Sequence, residues 1–267
     1  MTTPRETFFE LLEYKERVIQ LQDALAAGGI DLLVTCAPGN ICYLNGYVSV
    51  NVLDIMFVAV PAHGKPVFYL WQFERGRAES TVTGMETVCW DTGVDPIEFL
   101  VNDLTHRGYK KGRIGIDTGS THTSFDTVQQ LLSHLEGQPS KGIVEKLRLV
   151  KSAAEQQYVR EAAALTDTGV KAAITAIDVG KDDHQIGQAA GSALLKNKSE
   201  FLALEPIICV GWRSGAPHSP RGGTQVEPGD PVFIELSGVR ARYHSPLMRT
   251  VSAGPPRDGL QELADYS

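Results

Sequence analysis

The sequence predicts an α/β domain over residues 1–143 and an α+β unit over residues 151–267. Three observations carry this reading. Short apolar strand-like runs alternate with helical segments as far as Ile143. Beyond Lys151 two helices come first and paired strands follow. A charged stretch at 141–151 separates the two patterns.

The elements follow in order. Residues 7–27 repeat apolar positions at helical spacing (Phe9, Leu12, Val18, Leu21, Leu25), and Gly28-Gly29 stop the helix. Residues 30–35 form a short apolar strand, and Ala37-Pro38-Gly39-Asn40 reads as a turn. Residues 55–60 and 66–70 are apolar runs split by Ala62-His63-Gly64-Lys65, a hairpin pattern. Helices are expected at 74–80, 97–107 and 125–135, and strands at 86–90 and 113–117. Ser152-Ala153-Ala154-Glu155 is a capping box, in which serine and glutamate satisfy each other's backbone N–H groups. A long Ala-rich helix follows to Ile177, and Asp182 or Asp183 can cap a second, to Asn197. Residues 205–211 are apolar and 212–223 form a Gly/Pro-rich loop. Residues 231–236 predict a strand, paired with 243–251 after a turn at Gly238-Val239-Arg240-Ala241. The final residues, from Asp258, begin an amphipathic helix. Two helices and a hairpin bury little surface against their chain entropy, so the second unit is expected to be the front of a larger domain.

Bulk properties narrow the function. With 42% hydrophobic and 21% charged residues, the composition is that of a soluble globular protein. The formal charge of −7 argues against nucleic acid or an anionic membrane as partner, since both require a basic face. Cys36, Cys42, Cys89 and Cys209 have no zinc-module spacing and read as buried thiols, which favours a reducing compartment. The first residues lack a basic start and an apolar core, so no signal peptide is expected and the chain reads as cytoplasmic.

Four segments together resemble the creatinase/aminopeptidase P/prolidase family. They are Gly29-Ile30-Asp31-Leu32-Leu33 with Asn40-Ile41-Cys42-Tyr43-Leu44-Asn45-Gly46-Tyr47; Glu145-Lys146-Leu147-Arg148 through Glu155 to Arg160-Glu161; Gly215-Ala216-Pro217-His218-Ser219-Pro220; and Glu227-Pro228-Gly229-Asp230 followed by Val232-Phe233-Ile234-Glu235 and Arg249-Thr250. The resemblance implies a ribonuclease-H-like N-terminal domain of the creatinase type and a "pita-bread" catalytic domain. It also implies that the catalytic domain is incomplete here, with further histidine and glutamate positions beyond Ser267, that this chain alone is inactive, and that the full-length protein is a homodimer.

The same resemblance places candidate site residues. Metallopeptidases of the family hold two divalent metals, starting from two aspartates on the last hairpin. Those positions are Glu235 and Pro246 here, and proline supplies no side-chain ligand. The expectation is therefore no metal, the alternative being two ions such as Mn or Co. Creatinase, in the same family, uses a histidine as acid/base without metal, and His218 falls on the matching loop. An imidazole suits that task because its ordinary pKa, about 6.5, lies near working pH. Read by itself, His218 would cap a turn between two prolines. Glu235, mid-strand, is either an outward-facing residue or a carboxylate positioning His218 or the substrate. Arg249 is expected to pair with Glu235 from the adjacent strand, and His244 is a second substrate-side candidate or an ordinary strand-end histidine. Glu-Leu-Ser-Gly followed by Arg-Tyr-His-Ser-Pro is similar to the ectoine-hydrolase branch. Val50 to Asp54 lacks the aromatic and arginine with which creatinase reaches a neighbouring subunit's substrate, which argues against creatine. Ser120 to Ser124 reads as a helix cap, and His63, His106, His122, His134 and His184 as solvated.

Three functions follow from this reading: a metal-independent hydrolase of C–N bonds in a small nitrogenous metabolite, with His218 and Glu235 catalytic; an Xaa-Pro metallopeptidase acting on dipeptides; and a non-catalytic truncated relative.

Overall fold

The computed structural model describes residues 6–51, 54–109, 112–119, 123–216 and 218–266. The chain divides into two compact units, Met1–Val150 and Lys151–Ser267.

The first unit is a mixed sheet with helices on both faces. Its elements are α1 (Leu11–Gly28), β1 (Leu32–Thr35), α2 (Pro38–Asn45), β2 (Phe57–Pro61), β3 (Val67–Trp71), α3 (Arg75–Thr81), β4 (Glu86–Trp90), α4 (Pro96–His106), β5 (Ile114–Asp117), α5 (Phe125–His134), β6 (Gln138–Ser140) and α6 (Ile143–Leu149). The strand order is β4-β3-β2-β1-β5-β6. β2 runs antiparallel to β1 and β3, and the β3–β4, β1–β5 and β5–β6 pairs are parallel. Leu33, Val58, Val60 and Phe68 face a core closed by Leu21, Leu25, Ile41, Leu44 and Val144. Leu32, Val34, Phe57 and Ile116 face a second core with Leu100, Leu104 and Leu131. Burial on both faces explains why these strands read as unbroken apolar runs.

Local departures have physical causes. The inward face of α1 is Tyr14, Arg17, Leu21 and Leu25, while Leu12 is exposed. Arg17 is buried because its guanidinium lies 4.1 Å from the Phe9 ring centre and 4.4 Å from that of Tyr43, with Nη1 donating to the Tyr43 carbonyl at 3.0 Å. The expected turn at 37–40 is instead the start of α2. Pro38 opens that helix and Gly46, at φ 79°, ends it. Ser120, Thr121 and His122 lie outside the described residues, as do Val52, Leu53 and Pro217. Ser124 caps α5 by accepting from Thr127 N–H at 3.1 Å. Of the four cysteines, Cys209 is buried, and Cys36, Cys42 and Cys89 are only partly so. Among the described residues no helix is long and apolar enough to cross a membrane.

The second unit contains α7 (Ala153–Ala176), α8 (Asp183–Lys196), β7 (Ile207–Val210), β8 (Pro231–Arg240), β9 (Tyr243–Ser252) and α9 (Leu260–Asp265). The strands form an antiparallel sheet in the order β7-β8-β9. Val232, Ile234 and Leu236 of β8 pack with Val170 and Ala173 of α7 and with Ile186, Ala190 and Leu194 of α8. The capping box at Ser152 is formed as read from the sequence, and Asp182 forms a second one with Gln185.

The β8–β9 hairpin is longer than its sequence suggests. The turn falls at Ala241 and Arg242, both left-handed at φ 49° and 64°, with Glu200 accepting from their N–H groups at 2.5 and 3.4 Å. Gly238 is not a turn residue. A Cβ there would lie 2.5 Å from Leu165 Cβ and 2.7 Å from Ala162 O, so this glycine lets the strand touch α7.

Candidate functional site

The site is assembled by β8 and by the loop that leaves β7. On β8, Glu235 stands between Ile207 of β7 and Met248 of β9. Its neighbours Ile234 and Leu236 point into the core, so Glu235 faces the opposite side of the sheet, with its side chain 12% exposed. His218 Nε2 lies 3.9 Å from Glu235 Oε2, within ion-pair reach and longer than a hydrogen bond. The imidazole is 78% exposed. With the carboxylate behind and the imidazole in front, the ring is open to a small molecule.

The loop carrying His218 is held along its length. Ser214 Oγ lies within hydrogen-bond distance of the carbonyls of Cys209 and Pro231, at 2.7 and 2.9 Å, with its single proton shared between them. Ser219 Oγ donates to Ala216 O at 2.6 Å, and Arg213 bonds the Pro220 carbonyl. Arg221 pairs with Glu205 and donates to Pro206 O at 3.0 Å. His218 itself takes a left-handed φ of 61°, a region in which histidine is enriched. Cys209, fully buried under the loop, has its thiol pushed up chiefly by burial.

Arg249 and His244 do not join this pair. The register opposes Arg249 to Ile234, one residue off Glu235, which assigns it to the alternate face of the sheet. Arg249 is exposed and its Nη1 donates to Met248 O at 2.7 Å; among the described residues no ion pair joins it to Glu235. His244 pairs with Val239, four residues along β8 from Glu235 and so about 13 Å away at strand rise. Its ring packs edge-on to Phe201 at 5.8 Å, and its pKa is lowered by burial first and by Arg242 second.

The hairpin also limits what metal it can hold. Pro246 stands opposite Ser237 and offers no donor. Among the described residues no three His, Cys, Asp or Glu side chains converge as a metal-ligand group. Within the described residues this hairpin supplies one side-chain carboxylate, Glu235, toward the several convergent anionic oxygens that a bridged pair of divalent ions needs.

Comparison with known proteins agrees with this architecture. Residues 17–150 match the creatinase/prolidase N-terminal domain and residues 157–266 match metallopeptidase family M24. The fold is thus a creatinase-type N-terminal domain followed by a pita-bread unit, and the chain belongs to the creatinase/prolidase family. It is 25% identical over 273 residues to an ectoine hydrolase of Halomonas elongata, covering 91% of this chain and 66% of that protein. It is 24% identical over 250 residues to an Xaa-Pro dipeptidase of Pyrococcus furiosus, covering 93% and 68%. Among solved structures, an Xaa-Pro dipeptidase from Bacillus anthracis superposes with a TM-score of 0.82 at 20% identity, covering 94% of this chain and 68% of that one. A prolidase from Thermococcus sibiricus gives 0.84 at 18%, covering 94% and 69%. At those identities the structural likeness establishes the fold alone. The chain spans about two thirds of the length of these relatives.

One residue of the site escaped the sequence reading. Asp183, which looked like an alternative to Asp182 as a helix cap, is fully buried and turned onto the loop that follows His218. The only signal in the sequence was the doubled aspartate, since one acid suffices to cap a helix.

Proposed function

We propose that the protein carrying this chain is a metal-independent hydrolase of C–N bonds in a small nitrogenous metabolite. His218 acts as general acid/base and Glu235 orients it. The observation that carries the reading is the contact of His218 Nε2 with Glu235 Oε2 on a hairpin whose other acidic position is a proline. In this proposal Nε2–H points to the carboxylate and Nδ1 presents its lone pair. Nδ1 takes a proton from water as its oxygen attacks the carbon. The same proton then goes to the leaving nitrogen as the C–N bond breaks. The relative named ectoine hydrolase supports a small substrate. A homodimer in the cytoplasm belongs to the same proposal, on the family resemblance.

A metallopeptidase reading is favoured by the match to family M24 and by the Xaa-Pro dipeptidase among the relatives. The two separate in one experiment on the full-length protein, assayed with ectoine and with an Xaa-Pro dipeptide, with and without chelator. The proposal expects chelator-insensitive activity in which His218→Ala costs about 10²–10⁴-fold and Glu235→Gln much less. Chelator-sensitive activity, with Glu235→Gln the more damaging change and a lowered metal content, would overturn it in favour of the peptidase.

A further inference from the structure

We infer that Asp183 is a positioning residue: it fixes the loop that presents His218, and it acts on the reaction only through that histidine. The inference rests on the acid/base reading of His218 proposed above.

The side chain of Asp183 is fully buried at the start of α8. A buried carboxylate is costly unless its oxygens are satisfied. Here Oδ2 accepts from the N–H of Gly222 at 3.0 Å and of Thr224 at 3.3 Å, and Oδ1 accepts from Gly223 N–H at 3.0 Å. The backbone N–H of Asp183 donates in return to Thr224 O at 3.2 Å, and Asp182 forms a bridge with Gln225. One acid therefore collects three successive backbone donors beginning four residues after His218. Asp182 already serves as the cap of α8, accepting from Gln185 N–H at 2.9 Å. Capping does not account for Asp183.

The need for such an anchor follows from His218 itself. Its imidazole is largely exposed, and its ion-pair contact, Glu235, is 3.9 Å away. Its backbone sits in a left-handed conformation that is uncommon for a non-glycine residue, although histidine adopts it more readily than most. Ser214, Ser219 and Arg213 fix the loop on the β7 side. Asp183 fixes it on the other. Arg221, between His218 and the clamp, lies over Gly187 of α8, where a Cβ would come within 2.7 Å of its Nη1. The same helix thus holds the loop at two points.

The test is a double-mutant cycle on the full-length enzyme. Asp183→Asn replaces one acceptor oxygen with a donor that faces backbone N–H. The expected result is a fall in kcat of about 10²-fold, the effect of a small misplacement of a catalytic group, with KM little changed. In a His218→Ala background the same substitution should cost nothing further, because residues acting as a unit are non-additive. Gly223→Ala serves where Asp183→Asn folds poorly. Gly223 is at φ 75° with nothing within 4 Å of a built Cβ, so alanine strains the loop without a clash or a buried charge. It should lower kcat by a smaller factor, again only when His218 is present. Additive losses, or losses of equal size with and without His218, would mean a merely structural role and overturn the inference. A silent His218→Ala would instead sink the acid/base reading, and this inference with it.

Discussion

Replacing Thr166 by valine removes one hydroxyl, nearly isosterically, from the junction of α7 with the β8–β9 hairpin. That hydroxyl accepts from Gly238 N–H at 2.8 Å and donates to Ser245 O at 2.6 Å, with Ala162 O at 3.0 Å. Thr166 is 1% exposed, so water cannot take over. Valine leaves one N–H and one carbonyl of adjacent strands without their partner. A buried polar group left unsatisfied costs about 1–3 kcal/mol. Two such groups, less the gain from burying a methyl in place of the hydroxyl, give an expected loss of about 2–4 kcal/mol. Thr166→Ser keeps the hydroxyl and deletes one methyl, for about 1 kcal/mol. Urea denaturation of the chain, followed by circular dichroism, measures both. Valine should shift the midpoint at least twice as far as serine, with an unchanged slope. A valine variant within about 0.5 kcal/mol of the parent, or one no worse than serine, would refute the idea that this hydroxyl completes the hairpin.

Two further predictions concern the same chain. Gly238→Ala forces a Cβ into Leu165 and the backbone of α7, and thermal melting should report a loss at or above the usual 1–3 kcal/mol of overpacking, about as large as that of Thr166→Val. Glu74 tests pH dependence: burial pushes its carboxyl up, but hydrogen bonds from Tyr47, Asn51 and Ser49 and the Arg77 charge hold it below the usual range. Its folded pKa is thus depressed, so its contribution is present above the unfolded value and is lost as pH falls through the lower folded one. Chemical denaturation repeated from pH 6 down to pH 3 should show the parent losing stability faster than Glu74→Gln, and parallel curves would count against the assignment.

What was legible in the sequence was what local chemistry decides. The capping box at Ser152 needs only residues three apart, and it is present. The fully buried strands of the first unit announced themselves by apolar runs. The start of α2 did not, because Pro38-Gly39-Asn40 punctuates a turn as readily as it opens a helix. The hairpin turn lies elsewhere than the sequence suggests for a physical reason. A turn centred on Val239-Arg240 would set Glu235 against His244, whereas the observed turn at Ala241-Arg242 sets it against Met248 and moves His244 four residues away. Glycine at 238 invited the wrong turn. Its true reason, the approach of Leu165 and Ala162 from α7, is a tertiary contact that no local pattern contains. Arg249 lies on the face opposite Glu235 in either register, because the two turns differ by four residues and an even shift keeps every side chain on its face.

Pro246 bears on whether the hairpin is a working part or a decayed one. Proline in a strand removes a ladder donor and is confined to edges; among the described residues β9 is at the edge of its sheet. A hairpin that had merely lost an acidic residue to proline would be expected to leave neighbouring backbone groups unpaired. Instead Ser237 Oγ accepts from Ser245 N–H at 3.1 Å and donates to Gly238 O at 3.1 Å. Thr166 takes the next donor and acceptor, Gly238 N–H and Ser245 O. Hydroxyls from two elements thus close the ladder around the proline, and the strand continues undistorted to place Glu235 against His218. Consistency between a local exception and its surroundings marks a built feature. It weighs against the non-catalytic alternative and is compatible with the proposed roles of Glu235 and His218.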